Sequence, residues 1–460
     1  NLEDARMPTP FFARSGGYTK AELKALGLGA RVKLVDSQMV DIDRQAKVIM
    51  LPEGSVLPYD YLVIAPEFGD QTLYGIKEAA RLRGAFSLFD ENADRALQDY
   101  MFSTFDQSSG RVMVFGGSLD AYSTIQAMIS RGIPPANIEL VSPPPSVDED
   151  IFAHPRVRAK VEAQLAALGV TCAEKMRVVG LEADDSGVLS SVLLEATESA
   201  TRVSRVCQLL VCVGPKEVER STFDALNGAS IVYDGRLVVD SKFCTNDKAV
   251  YAAGVITKFS RRYRSKLQMA TVSGRECGAK LAQAVLPILD PLSASSSLEA
   301  EAPVPTFDKP KVATAVLPGP LHYVSIVHPT PGCETYIKAK AHASFGRELV
   351  TDDGEDTYTF CSVRLDKNGV IRALTYLGTS PIEDGNWASL IGLPESALNN
   401  LAPRFDEGIV TDLPAFLRQN WAVALYHDRF SEFQSVLRAE LEGDDKFKEA
   451  MEALRERAEY

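Results

Sequence analysis

The stretch that most constrains this chain runs from Arg111 to Pro143, RVMVFGGSLDAYSTIQAMISRGIPPANIELVSP. RVMVF is short, apolar and bounded by Gly110 on one side and Gly116-Gly117 on the other, which reads as a buried strand. From Asp120 to Ser130, Ile125, Met128 and Ile129 fall on one helical face. Arg131-Gly132 closes that helix, and IELV at 138–141 returns as a second strand. Strand, glycine turn, helix and strand within about thirty residues make a βαβ unit. Such a unit commonly presents the N–H groups of its helix N-terminus to the pyrophosphate of a dinucleotide. Whether this turn still can is the central question.

A chain of 460 residues, 45% hydrophobic and 24% charged, can build two or three domains with a sizeable core. Its net charge of −13 argues against nucleic acid as a partner. No apolar run approaches the length of a membrane span, so no membrane partner is expected. The chain begins with Asn1 and nothing near it resembles a signal peptide, so a segment of a longer polypeptide is expected. Seven cysteines, without any C-x2-C pair, suggest a reducing compartment and offer no zinc site. Cys207 and Cys212 have the C-x4-C spacing of a redox disulfide, yet SRVCQLLVCVG reads as one strand. Residues five apart on a strand point to opposite faces, on the order of 16 Å apart, whereas a disulfide needs Cα atoms within about 7 Å. Two buried thiols are the expectation.

Along the chain, MPTPFFARSGGY precedes a short helix over 19–26 that Thr19 can cap. RVKLVDSQMVDIDRQAKVIMLPEG alternates as a β meander does. SVLPYDYLVIAPE ends in YLVIA, a buried-strand run. Residues 71–109 read as helical and polar. RVRAKVEAQLAALGV is an amphipathic helix ended by Gly169. TCAEKMRVVGLEA, GVLSSVLLEA and SRVCQLLVCVGP read as three strands, followed by a helical stretch near 216–227. IVYDGRLVVD has the shape of a hairpin turning at Asp234-Gly235. AVYAAGV is another buried strand, and a long helix is expected over 265–286. Pro, Ser, Ala and Glu then dominate 287–310, a linker. Beyond it HYVSIV, TYTFCSVRLD and VIRALTYLG are strands of an α+β domain, the last two joined at Asp366–Gly369. A charged helical tail follows from Asp428, broken at Gly443-Asp444-Asp445.

Three groups of residues outside the βαβ unit carry possible chemistry. His328-Pro329-Thr330 followed by Glu334 is similar to the His-Pro-Thr…Glu pattern that supplies the acid–base histidine of disulfide reductases. The glutamate is one residue too far and no redox cysteine pair accompanies it, so a strand-end histidine is favoured. The basic run Lys258 to Lys266 reads either as a grip for an acidic partner surface or as a solvated loop and helix start. Trp387 and Trp421 both fall in the last domain, as core or interface anchors. Neither Gly-x-Ser-x-Gly nor a Ser/His/Asp or Cys/His grouping stands out, so no catalytic residue and no metal ligand is assigned.

In order, LPYDYLVIA at 57–65, the 111–143 unit, Val213-Gly214-Pro215, Gly235 to Asp240 and VYAAG at 250–254 resemble the pyridine nucleotide–disulfide oxidoreductases. The resemblance implies an α/β fold of the two-dinucleotide-binding-domain flavoprotein type, Rossmann-like, doubly wound and degenerate, plus a C-terminal α+β domain. Residues 1–106 and 220–286 would form a discontinuous FAD-type domain, and 107–219 an inserted NAD-type domain. A Pro/Ser linker at 287–310 and a dimerisation-like domain with a helical tail at 311–460 complete the expected plan.

The departures from that family fall at the nucleotide sites. No strand–GxGxxG–helix unit precedes Arg31. In the central fingerprint, Gly116, Gly117 and Ala121 keep vestigial cofactor-binding positions, but Ser118 stands where a second close-approach glycine belongs. Asp120 places a negative charge at the helix N-terminus, favourable to the dipole and repulsive to phosphate. Ser142 and the prolines Pro143 to Pro145 replace the acid that holds ribose hydroxyls. Ala65-Pro66-Glu67 replaces the family's Ala-Thr-Gly, and Gly254-Val255 its Gly-Asp. A fold kept after its cofactors were lost is expected, with no cofactor bound. The alternative is an NAD(P)H-dependent FAD oxidoreductase, and a third reading keeps one nucleotide at 116–121 as a structural ligand.

A degenerate flavoprotein-like half, a Pro/Ser linker and an added α+β domain also resemble the cilia- and flagella-associated proteins of the calmodulin- and spoke-associated complex. The PFFARSGGY and LHYVSIVHP segments belong to that resemblance. It implies a non-catalytic scaffold at the radial-spoke base of motile axonemes, touching other spoke and complex proteins and the doublet microtubule, in the ciliary cytoskeleton.

Overall fold

Alternating residues over 41–58 fold as the expected meander. Strands β1 (Asp41–Asp43), β2 (Val48–Met50) and β3 (Val56–Pro58) pair antiparallel in that order. Asp43 shapes the first turn, its carboxylate accepting the N–H groups of Gln45 and Ala46 at 2.8 and 2.9 Å. The computed structural model describes residues 25–27, 30–35, 37–88, 91–145, 150–214, 216–290, 303–352, 354, 358–427, 430–444 and 449. Most of the helix expected over 19–26, the PFFARSGGY segment, the centre of the Pro/Ser linker and the end of the tail lie outside them. Strand β4 (Leu62–Ile64) corrects the expectation of a buried YLVIA strand: Ile64 is buried, but Val63 is 46% exposed. Among the described strands it pairs on one side only, and its Val63 face is left uncovered. Strand β5 (Gly69–Asp70) follows.

The next body is the doubly wound one. It is built from β6 (Ala85–Ser87), α1 (Glu91–Ser103), β7 (Val112–Phe115), α2 (Leu119–Ser130), β8 (Ile138–Val141), α3 (Pro155–Leu168) and β9 (Thr171–Ala173). After β9 come β10 (Met176–Ala183), β11 (Leu189–Ala196) and β12 (Arg202–Val206), an antiparallel meander. Then β13 (Leu209–Cys212) returns to the main sheet and β14 (Lys216–Glu217) pairs antiparallel with β5. The main sheet is wholly parallel, in the order β6-β13-β7-β8-β9. All four residues of β7 and of β13 are buried, because helices cover one face and the meander the other.

Two expectations are corrected here. Residues 71–109 are not one polar helix: β6 lies inside them and extends the same sheet as β7. The sheet that holds β7 thus includes a strand from upstream of residue 107. SRVCQLLVCVG is two strands rather than one, because the chain leaves the meander at Cys207-Gln208 and enters the parallel sheet. Cys207 and Cys212 are both buried with free thiols.

The chain then returns to the first body through α4 (Arg220–Gly228), β15 (Leu237–Val239), β16 (Val250–Ala252), β17 (Thr257–Phe259) and α5 (Gly274–Leu289). Strand β16 pairs parallel with β4, and β15 with β17. The hairpin at Asp234-Gly235 closes as a single bridge, Tyr233 to Leu237, with Gly235 at φ 69°. The helix expected over 265–286 starts only at Gly274; short 3-10 turns occupy 261–263 and 269–271. It also runs past Pro287, into the stretch read as a linker. Its far end is tethered, since the Glu276 carboxylate accepts the N–H groups of Asp308 and Lys309 at 2.9 and 2.8 Å.

The last body is an antiparallel sheet of β18 (Lys311–Leu317), β19 (Leu321–Val327), β20 (Phe345–Asp352), β21 (Phe360–Asp366) and β22 (Ile371–Gly378). Helix α6 (Tyr336–Ala341) precedes β20, and the strand order is β18-β19-β22-β21-β20. Helices α7 (Asp384–Ala388), α8 (Leu401–Asp406), α9 (Leu413–Leu417), α10 (Val423–Tyr426) and α11 (Phe430–Gly443) follow. The period-two alternation of strands decides both faces. Leu321, Tyr323, Phe360 and Leu377 pack into the core of the doubly wound body. Val324, Ile326, Cys361, Val363 and Leu374 pack under the α7–α10 layer. Polar ties reinforce the first contact: the Ala153 N–H donates to the Tyr323 hydroxyl at 2.9 Å, and the Gly319 N–H to Gln126 Oε1 at 3.0 Å.

Candidate functional site

The turn between β7 and α2 brings Gly116, Gly117 and Ala121 together, as the sequence expects. Each has a local reason. A Cβ on Gly116 would stand 2.7 Å from the Val213 carbonyl oxygen, so strand packing excludes a side chain there. Ala121 is fully buried where α2 meets the sheet. Gly117 has ordinary room, its nearest neighbour being Pro143, 3.5 Å from an added Cβ.

The residues between them face inward on protein. Ser118 caps α2 in position but not by its side chain, whose hydroxyl donates instead to the Val213 carbonyl at 3.3 Å. Ser142, where a ribose-binding acid belongs, donates to the Gly116 carbonyl at 3.3 Å. Asp120, in the first turn of α2, forms an ion pair with Lys216 of β14. That pair spans the helix N-terminus and satisfies the dipole with a carboxylate of the chain itself.

Beneath it lies a residue that no sequence pattern marks. Asp70, 5% exposed, accepts four hydrogen bonds. They come from the Thr72 N–H and hydroxyl at 3.0 and 2.8 Å, the Ser87 hydroxyl at 2.8 Å and the Gly214 N–H at 2.7 Å. It thereby joins β5, β6 and the loop leaving β13. A Cβ on Gly214 would meet this carboxylate at 2.8 Å and the Phe115 ring at 2.9 Å. A single aspartate in a polar loop carries no period or spacing that signals such a role; the same holds for Lys216.

The loops that leave β4 and β16 close in a similar manner. The Ala253 N–H donates to the Ile64 carbonyl at 3.1 Å. Gly254 turns at φ 82°, and its carbonyl accepts both the N–H and the hydroxyl of Thr257, at 3.0 and 2.8 Å. Val255 thus sits in a tight turn with no acceptor of its own side chain to offer.

The other candidates make contacts within the chain. His328 ends β19 with Nδ1 3.0 Å from the Thr330 hydroxyl, and burial pulls its pKa down. Burial pushes the Cys207 thiol up to about 12 and Cys212 up as well, the opposite of an activated thiolate. Two members of the basic run pair with Asp234, Lys258 Nζ at 2.7 Å and Arg261 Nη2 at 2.8 Å. Among the described residues no group of three His, Cys, Asp or Glu is placed to hold a metal.

The family model described as pyridine nucleotide-disulphide oxidoreductase matches residues 6–276. The chain belongs to the pyridine nucleotide-disulphide oxidoreductase family. A second model, described as the CFAP61 dimerisation domain, matches residues 305–425. Among curated proteins the chain is similar to cilia- and flagella-associated protein 61 of Tetrahymena thermophila, 25% identical over 93% of this chain and 33% of that protein. This oxidoreductase-family chain thus spans about a third of that relative's length.

Solved structures agree on the fold. The covalent putidaredoxin reductase–putidaredoxin complex matches at a TM-score of 0.56 and 16% identity, over 83% of this chain and 81% of that one. An NAD-dependent persulfide reductase from A. fulgidus gives 0.55 and 15%, over 84% and 68%. A FAD-dependent family member from Desulfovibrio vulgaris gives 0.51 and 14%, over 86% and 91%.

Proposed function

We propose that this chain is a non-catalytic, structural member of its oxidoreductase family, working as a scaffold in the axoneme of motile cilia, at the radial-spoke base. The similarity to a cilia- and flagella-associated protein supports the location. The observation that carries the non-catalytic part is the Asp120–Lys216 pair across the α2 N-terminus. A pyrophosphate bound there would have to displace a carboxylate from its cation and lie beside it. Ser118 and Ser142 fold their hydroxyls onto backbone carbonyls of the chain, and Pro143 brings no N–H. These residues do not fit a dinucleotide, and no redox step is derived through one. The partners on this reading are other spoke and complex proteins and the doublet microtubule, met by an acidic surface.

The alternative from the fold is an NAD(P)H-dependent FAD oxidoreductase. Visible absorbance of the purified chain and thermal-shift titration with FAD, NADH and NADPH separate the two, because a ligand that binds only the folded state raises Tm. A colourless protein with unmoved Tm is expected. A flavin spectrum, or a Tm rising with nucleotide concentration, overturns the proposal.

A further inference from the structure

Five of the nine residues from Lys258 to Lys266 are basic and none is acidic, in a chain whose net charge is −13. The run starts in β17 and crosses the 3-10 turn at 261–263. Tyr263 holds it in place, its hydroxyl accepting the Ser241 N–H at 3.1 Å and the Arg262 guanidinium at 2.6 Å. Arg262 also lies over the Tyr263 ring, 4.7 Å from its centroid. Asp234 pairs with two of the cations at once, Lys258 and Arg261, and so offsets only one charge. The Arg261 side chain stays 87% exposed. Asp240, the next carboxylate along, turns onto its own backbone, accepting the N–H groups of Lys242 and Cys244 at 2.8 and 2.9 Å. Arg264 and Lys266 are exposed, and among the described residues neither has an ion-pair partner. From Asp234 to Lys266 no large apolar side chain is exposed.

We propose that this run is a docking surface for an acidic, glutamate-rich segment of a partner protein. Arg261, Arg262, Arg264 and Lys266 supply the cations. Their crowding within one short loop makes their fields add, over a Debye length of about 8 Å at physiological salt. Three of the four are arginines, whose planar forks match a carboxylate with two parallel hydrogen bonds. The surface lacks the apolar centre that a folded partner's interface buries, so an extended charged segment fits it better than a packed domain. Nucleic acid fits less well. Tyr263, the run's one part-exposed aromatic, already has Arg262 over its ring, so no free face is offered to a base. The net negative charge of the chain also repels a long polyanion. A membrane fits less well too, since the run exposes no apolar side chain to enter one. This contact does not rest on the closure of the glycine turn.

Fluorescence anisotropy of labelled deca-glutamate, titrated with the intact chain at about 50 mM salt, tests the surface. Deca-glutamate is expected to bind, about tenfold more weakly at about 200 mM salt, and deca-glutamine not at all. Combining Arg264→Glu with Lys266→Glu is expected to weaken binding at least about tenfold, since repulsion replaces attraction at two points. Lys77→Glu with Arg81→Glu changes the net charge equally at exposed positions elsewhere, and affinity is expected to stay within about twofold. No binding of deca-glutamate, equal binding of deca-glutamine, or an equal effect of the two double variants overturns the proposal. Oligothymidine or phosphatidylserine vesicles binding more tightly than deca-glutamate, and losing that binding in the 264/266 reversal, overturns the acidic segment as the occupant. Should the reversal not fold by circular dichroism, Arg264→Gln with Lys266→Gln takes its place. A loss of at least about threefold is then expected, and an unmoved affinity overturns the surface.

Discussion

Replacing Asp70 with alanine removes the group that ties three segments beneath the glycine turn. The two contacts that cross the fold are the Ser87 hydroxyl at 2.8 Å and the Gly214 N–H at 2.7 Å. Hydrogen bonds to a charged group contribute about 1.5–3 kcal/mol each, and a buried donor left without an acceptor adds to the loss. The Thr72 bonds are local and shape only their own turn. Losing both together therefore costs about 3–6 kcal/mol. Asp70→Asn keeps the shape and one accepting oxygen, so about half that loss is expected. Hydrogen–deuterium exchange at Gly214 and along β14 is the direct assay, with far-UV circular dichroism in urea beside it. Tryptophan fluorescence is the wrong probe, because both tryptophans lie in the last domain. A loss of about 3 kcal/mol speeds exchange at Gly214 more than a hundredfold, every 1.4 kcal/mol being tenfold. If exchange there and the urea midpoint both match the parent, the carboxylate does not hold this region and the account of the closed crevice fails.

His154 caps α3 through Nδ1, which accepts the Arg156 N–H at 3.1 Å, and burial lowers its pKa despite Glu348 nearby. Below pH 6.5 the unfolded chain binds a proton that the folded ring resists, so stability falls as pH drops from 6.5 toward the lower folded value. Urea midpoints at about pH 7.5 and 5.5 should differ for the parent and differ less for His154→Asn, which caps without titrating, the remaining difference including that of buried His328. Gly346→Ala places a Cβ 2.2 Å from the Asp366 carbonyl oxygen, and a loss above about 2 kcal/mol is expected in thermal unfolding. Native alkylation should label Cys172 before Cys207, Cys212 and Cys361, which are buried; modification of Cys212 in the folded chain would contradict its place in the sheet.

The central βαβ unit is legible in the sequence because it is local: apolar runs, glycines and a helical stripe lie within one stretch. The last domain's turn is legible too, since Asp366 Oδ1 accepts the N–H groups of Asn368 and Val370 as an aspartate in that motif does. Strand β6 escapes because three residues carry too little period to oppose a polar helical reading. The break between β12 and β13 escapes because nothing in a continuous apolar run marks a change of sheet. At the site, the losses at Ser118, Asp120 and Ser142 are readable against the family pattern. Their replacements are not, since Lys216 and Asp70 reach the turn from 96 and 50 residues away (216 − 120 and 120 − 70).

The antiparallel sheet of the last body is clasped on both sides, by the doubly wound body on one face and its own helical layer on the other. Sliding it would shear two apolar layers together with the Ala153–Tyr323 and Gln126–Gly319 ties. A pull applied at its helices is thus delivered to α2 and α3 without a slack joint between, the behaviour of a strut rather than a hinge.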